Sequence, residues 1–244
     1  MSSDANSLFW NPSRLSLNTV DDFGVSASYF GYLSALVGDM FYFNTSGYVK
    51  IGPKTAIGTS FRLLNYGRIT FTDEVGTTIS DFRPKEFATD FHLSQRVNEK
   101  FGLGLSLRHV YSNLLGGISV LGVETSPLHS FAADVSMFYN SGPFDLGLNI
   151  SNIGSKMSYS GSNSNVFLPT NLRMGFAYEF PINQNNIIRL TLDLNKLLVP
   201  TMPVYNQNNE NEIASGYDPN VGVFRGIIQS FYDAPGIVTF NDDD

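Results

Sequence analysis

The stretch Phe101-Gly102-Leu103-Gly104-Leu105-Ser106-Leu107-Arg108-His109-Val110-Tyr111 decides the fold. In an extended strand successive side chains point to opposite faces. That rule puts Phe101, Leu103, Leu105, Leu107, His109 and Tyr111 on one face, and Gly102, Gly104, Ser106, Arg108 and Val110 on the other. One face meets an apolar phase and the other a polar one. Residues 144–151 repeat the pattern, with Phe144, Leu146, Leu148 and Ile150 against Asp145, Gly147, Asn149 and Ser151. Residues 172–180 repeat it again, with Leu172, Met174, Phe176, Tyr178 and Phe180 against Arg173, Gly175, Ala177 and Glu179.

Working outward, the alternation predicts nine strands, near 23–34, 39–51, 55–66, 86–97, 101–112, 129–140, 144–152, 167–180 and 186–197. Their lengths suit a tilted crossing of the hydrocarbon layer, which takes about 9 to 11 residues per strand. Tight connections are expected at Gly52-Pro53-Lys54, Asn98-Glu99-Lys100, Ser141-Gly142-Pro143 and Asn183-Gln184-Asn185, whose residue types supply turn geometry. Between them lie long connections at 67–85, 113–128, 153–166 and 198–236. Short turns on one side and long loops on the other are the habit of bacterial outer-membrane barrels.

Composition agrees. Charged residues make up 15% of the chain and aromatics 14%, against a usual charged share of about a quarter. A net charge of -7 argues against nucleic acid as a partner. No run of about eighteen apolar residues occurs, so any crossing of a membrane must be made by strands. The absence of cysteine excludes disulfides and thiolate metal sites. No charged and then apolar leader precedes Ser2, so a signal peptide is expected to be removed or to lie outside this sequence.

The competing architecture is a soluble sandwich or lipocalin-like barrel, which alternates equally well but turns its apolar face inward. Periodicity alone does not distinguish inside from outside. Lysine placement favours the membrane form, because Lys54, Lys85, Lys100 and Lys156 fall in predicted turns or loops. The polar faces carry Gly, Ser and Asn with scattered Arg62, Asp90, Arg96, Arg108, Asp134, Asp145, Arg173, Glu179, Arg189 and Asp193. Mixed signs on one face suit a lumen cross-linked by ion pairs, since each buried charge needs a partner.

Nine is an odd count, and an unpaired edge in lipid leaves backbone groups without partners. The expectation is a single domain over 1–244, incomplete at its C-terminus, which does not insert alone as a closed barrel. Residues 1–22 form a lead-in, 23–197 the strands and 198–236 a long outer loop. Within that loop Asp218-Pro219 reads as a helix cap and first turn, followed by Phe224, Ile227, Ile228 and Phe231 at helical spacing.

Enzyme motifs are thin. His92, His109 and His129 fall on different strands without metal-ligand spacing, His92 with the polar face and His109 with the apolar one. Gly102-Leu103-Gly104 lies inside a strand with no phosphate-cradling helix after it. No Gly-x-Ser-x-Gly elbow occurs. Asp73-Glu74 and the tail Asp242-Asp243-Asp244 read as solvated charge rather than a calcium site. The expectation is a protein that is not an enzyme, with no cofactor.

Several strings go beyond general physics. They are Asp4-Ala5-Asn6-Ser7-Leu8-Phe9-Trp10-Asn11-Pro12-Ser13-Arg14-Leu15, Asp39-Met40-Phe41-Tyr42-Phe43-Asn44, Tyr111-Ser112-Asn113-Leu114 and Leu168-Pro169-Thr170-Asn171-Leu172-Arg173. Further along come Leu192-Asp193-Leu194-Asn195-Lys196-Leu197-Leu198-Val199-Pro200-Thr201 and Asp218-Pro219-Asn220-Val221-Gly222-Val223-Phe224. In order and spacing they resemble the PorV (LptO) family, outer-membrane β-barrels of the type IX secretion system within the FadL-like superfamily. The resemblance runs from about Asp4 to Gly236. It implies an all-β transmembrane antiparallel barrel of about fourteen strands, of which this chain would hold about nine plus a short loop helix.

The resemblance also implies a role without chemistry. Members carry secreted proteins bearing a C-terminal signal domain from the SprA (Sov) translocon to the attachment complex with the sortase PorU. Such a carrier needs a protein-binding outer face. Leu114, Leu115, Ile118, Val120 and Leu121 are candidates because apolar residues exposed in a loop often mark a partner surface; plugging the lumen or continuing the flanking strands is their other reading. Phe224 and Ile227 of the loop helix are further candidates. The loop from Ile153 to Val166, rich in Ser, Gly and Asn, suits adaptable backbone bonding to a β-rich cargo or simple solvation. The alternative function is a channel for small hydrophobic molecules, as in the fatty-acid branch of the superfamily. A third, lipopolysaccharide O-deacylation, finds no catalytic constellation here.

Overall fold

The computed structural model describes residues 4–18, 21–33, 36, 38–72, 75–114, 116, 119–120, 123–124, 126–157, 166–206 and 209–236. Nine long strands form its frame: β1 (Phe23–Gly31), β2 (Phe41–Gly52), β3 (Thr55–Asn65), β4 (Lys85–Arg96), β5 (Phe101–Asn113), β6 (Leu128–Ser141), β7 (Phe144–Gly154), β8 (Asn171–Asn183) and β9 (Asn186–Leu197). They make one antiparallel sheet in which each pairs with its neighbours in sequence. Among the described residues the outer edges of β1 and β9 are not joined, so the sheet is an open stretch of barrel wall.

All nine predicted strands are present, with ends shifted by a few residues. The largest shift is at β8, expected from residue 167 but starting at Asn171. Pro169 has no amide to give a ladder, and the Thr170 amide turns back to the Leu168 carbonyl instead. The long connections carry structure that alternation did not reveal: antiparallel hairpins Ile69–Thr72 with Thr78–Phe82, Ser119–Val120 with Val123–Glu124, and Val204–Asn206 with Asn209–Ser215. The loop helix runs over Val223–Gln229 with Gly222 at its N-cap. Asp218 is therefore not the cap; its carboxylate accepts from the Asn220 amide two residues on, closing a turn that precedes the helix.

Burial answers the question periodicity left open. On β5 Gly102, Gly104, Ser106 and Arg108 are buried while Leu103, Leu105 and Leu107 are exposed, the last at 59%. On β4 Asp90, His92 and Ser94 are buried between exposed Phe91 and Leu93. The sheet is inside out, with polar residues within and apolar residues without. A soluble barrel with an apolar interior is thereby excluded.

The outward face is zoned along the strands. Toward the long connections, Phe61, Phe87, Tyr111, His109, His129 and Phe131 form a continuous run of ring contacts across β3 to β6. Toward the tight turns lie Phe101, Tyr139, Phe144, Tyr178 and Phe180. Leu103, Leu105, Leu107, Val135 and Met137 occupy the middle.

Candidate functional site

The inward face is held by charge pairs that cross strands. Asp90, fully buried on β4, accepts from Arg62 of β3 at 3.0 Å, from Ser60 at 3.0 Å, and from Arg108 of β5. Arg108 reaches on to Asp134 of β6 at 2.9 Å and to the Asn152 side chain of β7. Two guanidinium groups and two carboxylates so neutralise one another, the condition for burying charge at tolerable cost.

The chain continues because β6 and β7 are locally irregular. A register shift between Ala133 and Val135 lies opposite Asn152, whose φ of 61 is left-handed. Asparagine tolerates that geometry better than most residues. It aims the Asn152 amide at Asp134, 2.8 Å away. Beside this network His92 bonds Ser106 at 2.7 Å and Ser60 at 3.1 Å. A second group sits toward the tight turns, where Arg189 of β9 pairs with Asp145 of β7 and with Glu179 of β8 at 3.1 Å. Every one of these residues has a structural partner within the wall. Among the described residues no group of three or more His, Cys, Asp or Glu could hold a metal ion.

The lead-in occupies this polar interior. Two 3-10 turns, Ala5–Phe9 and Pro12–Arg14, and a helical turn, Leu15–Asn18, run across it. Asn6 bonds Ser26 of β1, and Asn11 donates to the carbonyls of Met137 and Leu148 on β6 and β7. Asn149 of β7 donates to the Trp10 carbonyl, and the Ser16 amide meets Ser94 of β4. Three guanidinium groups cover aromatic rings: Arg62 over Phe9, Arg14 over Phe138 and Arg173 over Trp10, at 5.6, 4.7 and 5.3 Å. Ala5, Leu8 and Leu15 bury with Tyr48 and Ala56 in a small apolar seam, each leucine contributing roughly 1.5–3 kcal/mol.

These contacts require the sheet to curl. From β1 to β7 a flat sheet would measure roughly 29 Å at about 4.8 Å per strand. From Asn6 to Trp10 the 3-10 rise supplies roughly 8 Å and two side-chain bonds roughly 15 Å more. Only a wrapped sheet brings Ser26 and Asn149 within that reach. Glycine makes room for the plug: a Cβ on Gly104 would lie 2.7 Å from the Ser13 amide nitrogen, and one on Gly102 2.7 Å from the Ser13 carbonyl. Between the plug and β7–β9 a cavity of about 410 Å³ remains, bordered by Trp10, Arg14, Asn149, Arg173 and Asp193.

The residues singled out for partner binding separate into two places. Leu114 is half-buried just beyond β5, and Val120 lies in the short strand paired with Val123–Glu124. Leu115, Ile118 and Leu121 lie outside the described residues. Phe224 is exposed and Ile227 half-buried on the helix beyond β9, at the end of a different strand. His109 and His129, unrelated by spacing, come together 3.0 Å apart on the outward face, as parity anticipated for His109. Their meeting follows from the register of β5 and β6, which composition does not reveal.

An open antiparallel wall, apolar outside, ion-paired within and filled by its own first residues, defines a protein of the plugged β-barrel class. The chain belongs to the PorV family: the family model described as type IX secretion system protein PorV matches residues 1–204. It is a component of that secretion system. No curated protein matches the chain.

Proposed function

We propose that this protein is an outer-membrane carrier of the type IX secretion system. It binds secreted proteins through their C-terminal signal domain, receives them from the SprA (Sov) translocon and delivers them to the attachment complex containing PorU. Family membership supports the secretion role. The inverted sheet supports the outer-membrane location. Ten residue steps separate Phe101 from Tyr111, about 33 Å along a strand, and a tilt near 40° reduces this to about 25 Å, the height of the apolar band in such barrels. The aromatic rings at both ends of that band correspond to interfacial girdles.

The observation that carries the carrier reading over the channel is the filled interior. A conduit for small hydrophobic molecules needs an apolar path, whereas here the plug and the Arg62–Asp90–Arg108–Asp134 chain take up the inner face of β3 to β6, and the cavity left beside β7–β9 is bordered by Arg14, Arg173 and Asp193. Cargo contact then falls to the outer loops, foremost Leu114, Leu115, Ile118, Val120 and Leu121. Pull-down of the protein from outer membranes tests the reading. Recovery of a very large barrel together with signal-bearing secreted proteins is expected; recovery of lipid with neither would favour the channel. Leu115→Ser with Leu121→Ser should lower cargo recovery without disturbing assembly, and unchanged recovery removes the loop from the site.

A further inference from the structure

The helix Val223–Gln229 repeats, in another kind of element, the inversion seen in the strands. At 100° per residue, Gly226, Gln229 and Ser230 fall on one side and are buried. Phe224, Ile228 and Phe231 fall on the opposite side and are 75, 64 and 59% exposed. The inner side is firmly held. Gly226 packs so closely on Phe167 and Pro200 that a Cβ would meet Phe167 at 2.9 Å. Gln229 donates to the Asp218 carbonyl at 3.0 Å, and the fully buried Asp233 accepts from the Thr201 amide and hydroxyl at 2.7 and 2.8 Å. A scaffold so tied down presents its apolar side by construction.

The register shows which way that side continues. Lys196 pairs with Leu172, and Leu194 with Met174, so Lys196 stands on the outward face of β9 above Leu194, Leu192 and Leu190. Its Nζ donates to the Ser230 carbonyl at 2.9 Å and lies 5.1 Å from the Phe231 ring centre. Lys196 thus ties the helix end to the outward face, with its stem along apolar surface and its head at a carbonyl, the habit of lysine at a membrane boundary. Phe231 prolongs the exposed apolar column of β9, and Tyr232, 57% exposed, stands beside it against Tyr217.

We propose that this helix lies in the plane of the membrane–water interface and inserts Phe224, Ile228 and Phe231 into lipid beside β9. The occupant is a lipid surface, because the patch continues the sheet's outward face and shares its inversion. This gives Phe224 lipid rather than protein as its neighbour. The inference rests on the membrane reading of the sheet, so the test must separate the two.

The chain has no cysteine, so single-cysteine variants take a nitroxide label cleanly. Phe224→Cys and Ile228→Cys report on the helix, Leu105→Cys on the middle of the sheet's outward face, and Asn220→Cys on the exposed turn before the helix. Each is made in the protein as the outer membrane holds it and transferred with that assembly into phosphatidylethanolamine–phosphatidylglycerol vesicles, and collision with oxygen is compared with collision with a water-soluble nickel chelate. The expected result is an oxygen-to-nickel ratio several-fold higher at 224 and 228 than at 220, with 105 deeper still. A lipid-like ratio at 105 with water-like ratios at 224 and 228 overturns the inference alone and leaves the helix face to a protein partner. Water-like ratios at all positions overturn the membrane reading itself. Phe224 and Ile228 point away from the body, so loss of either side chain leaves the fold intact.

Discussion

Asp90 is the residue on which the interior turns, since it faces two guanidinium groups from strands on either side of its own. Removing one member of a buried pair leaves the other charges uncompensated, at a cost of about 3–5 kcal/mol. Asp90→Ala should lower the urea midpoint of the reconstituted protein by that equivalent, and Arg108→Met added to it should recover part of the loss. A full additive loss would show that the two do not act as a unit. The charges themselves could be assigned to the polar face by counting parity from Phe101. Their partners could not, because pairing depends on register and on the irregularity at Asn152, whose left-handed backbone has no signature in spacing.

At the scale of elements the plug is the chief addition to what alternation reveals. Residues 4–18 lack both a strand period and a helix period long enough to read, so sequence identified a lead-in and not its destination. The signal was present elsewhere, in Gly102 and Gly104 on a face where serine would have served hydration equally well. Gly104→Val should push the segment off β5 and open Arg14 to trypsin, whereas Gly38→Ala, where a Cβ meets nothing within 4 Å, should not. Equal protection of Arg14 in both variants would count against the docked segment. Asn11→Ala should be milder, about 1–3 kcal/mol, since it removes a donor from two half-buried carbonyls and leaves the buried Ser13 amide short of a partner. The loop helix was legible from Phe224, Ile227, Ile228 and Phe231, but its start was not. Asp218 satisfies its own turn, and Gly222 caps without a side chain.

For the whole molecule the governing fact is the inversion. Alternation located the strands and their neighbours, while the direction of each face needed the burial of Asp90, His92 and Ser94 beside exposed Phe91 and Leu93. In lipid, Leu105→Arg should cost about 2–4 kcal/mol and Val97→Arg, at the tight turn where the Val97 amide meets the Phe101 carbonyl, about 0–1. Measured as unfolding free energies in vesicles, equal costs at the two positions would contradict a graded apolar phase around the sheet.

The hydrogen bond from Asn149 to the Trp10 carbonyl joins residues 139 apart in sequence. Contacts so distant form late, because the chain between them must be ordered first. The segment made before the strands waits for partners made well after it, and a wall already curled shut would bar it from the interior. Assembly therefore has an order: residues 4–18 seat as β1 to β8 curl round them, and the filling of the lumen is decided while the wall is still open.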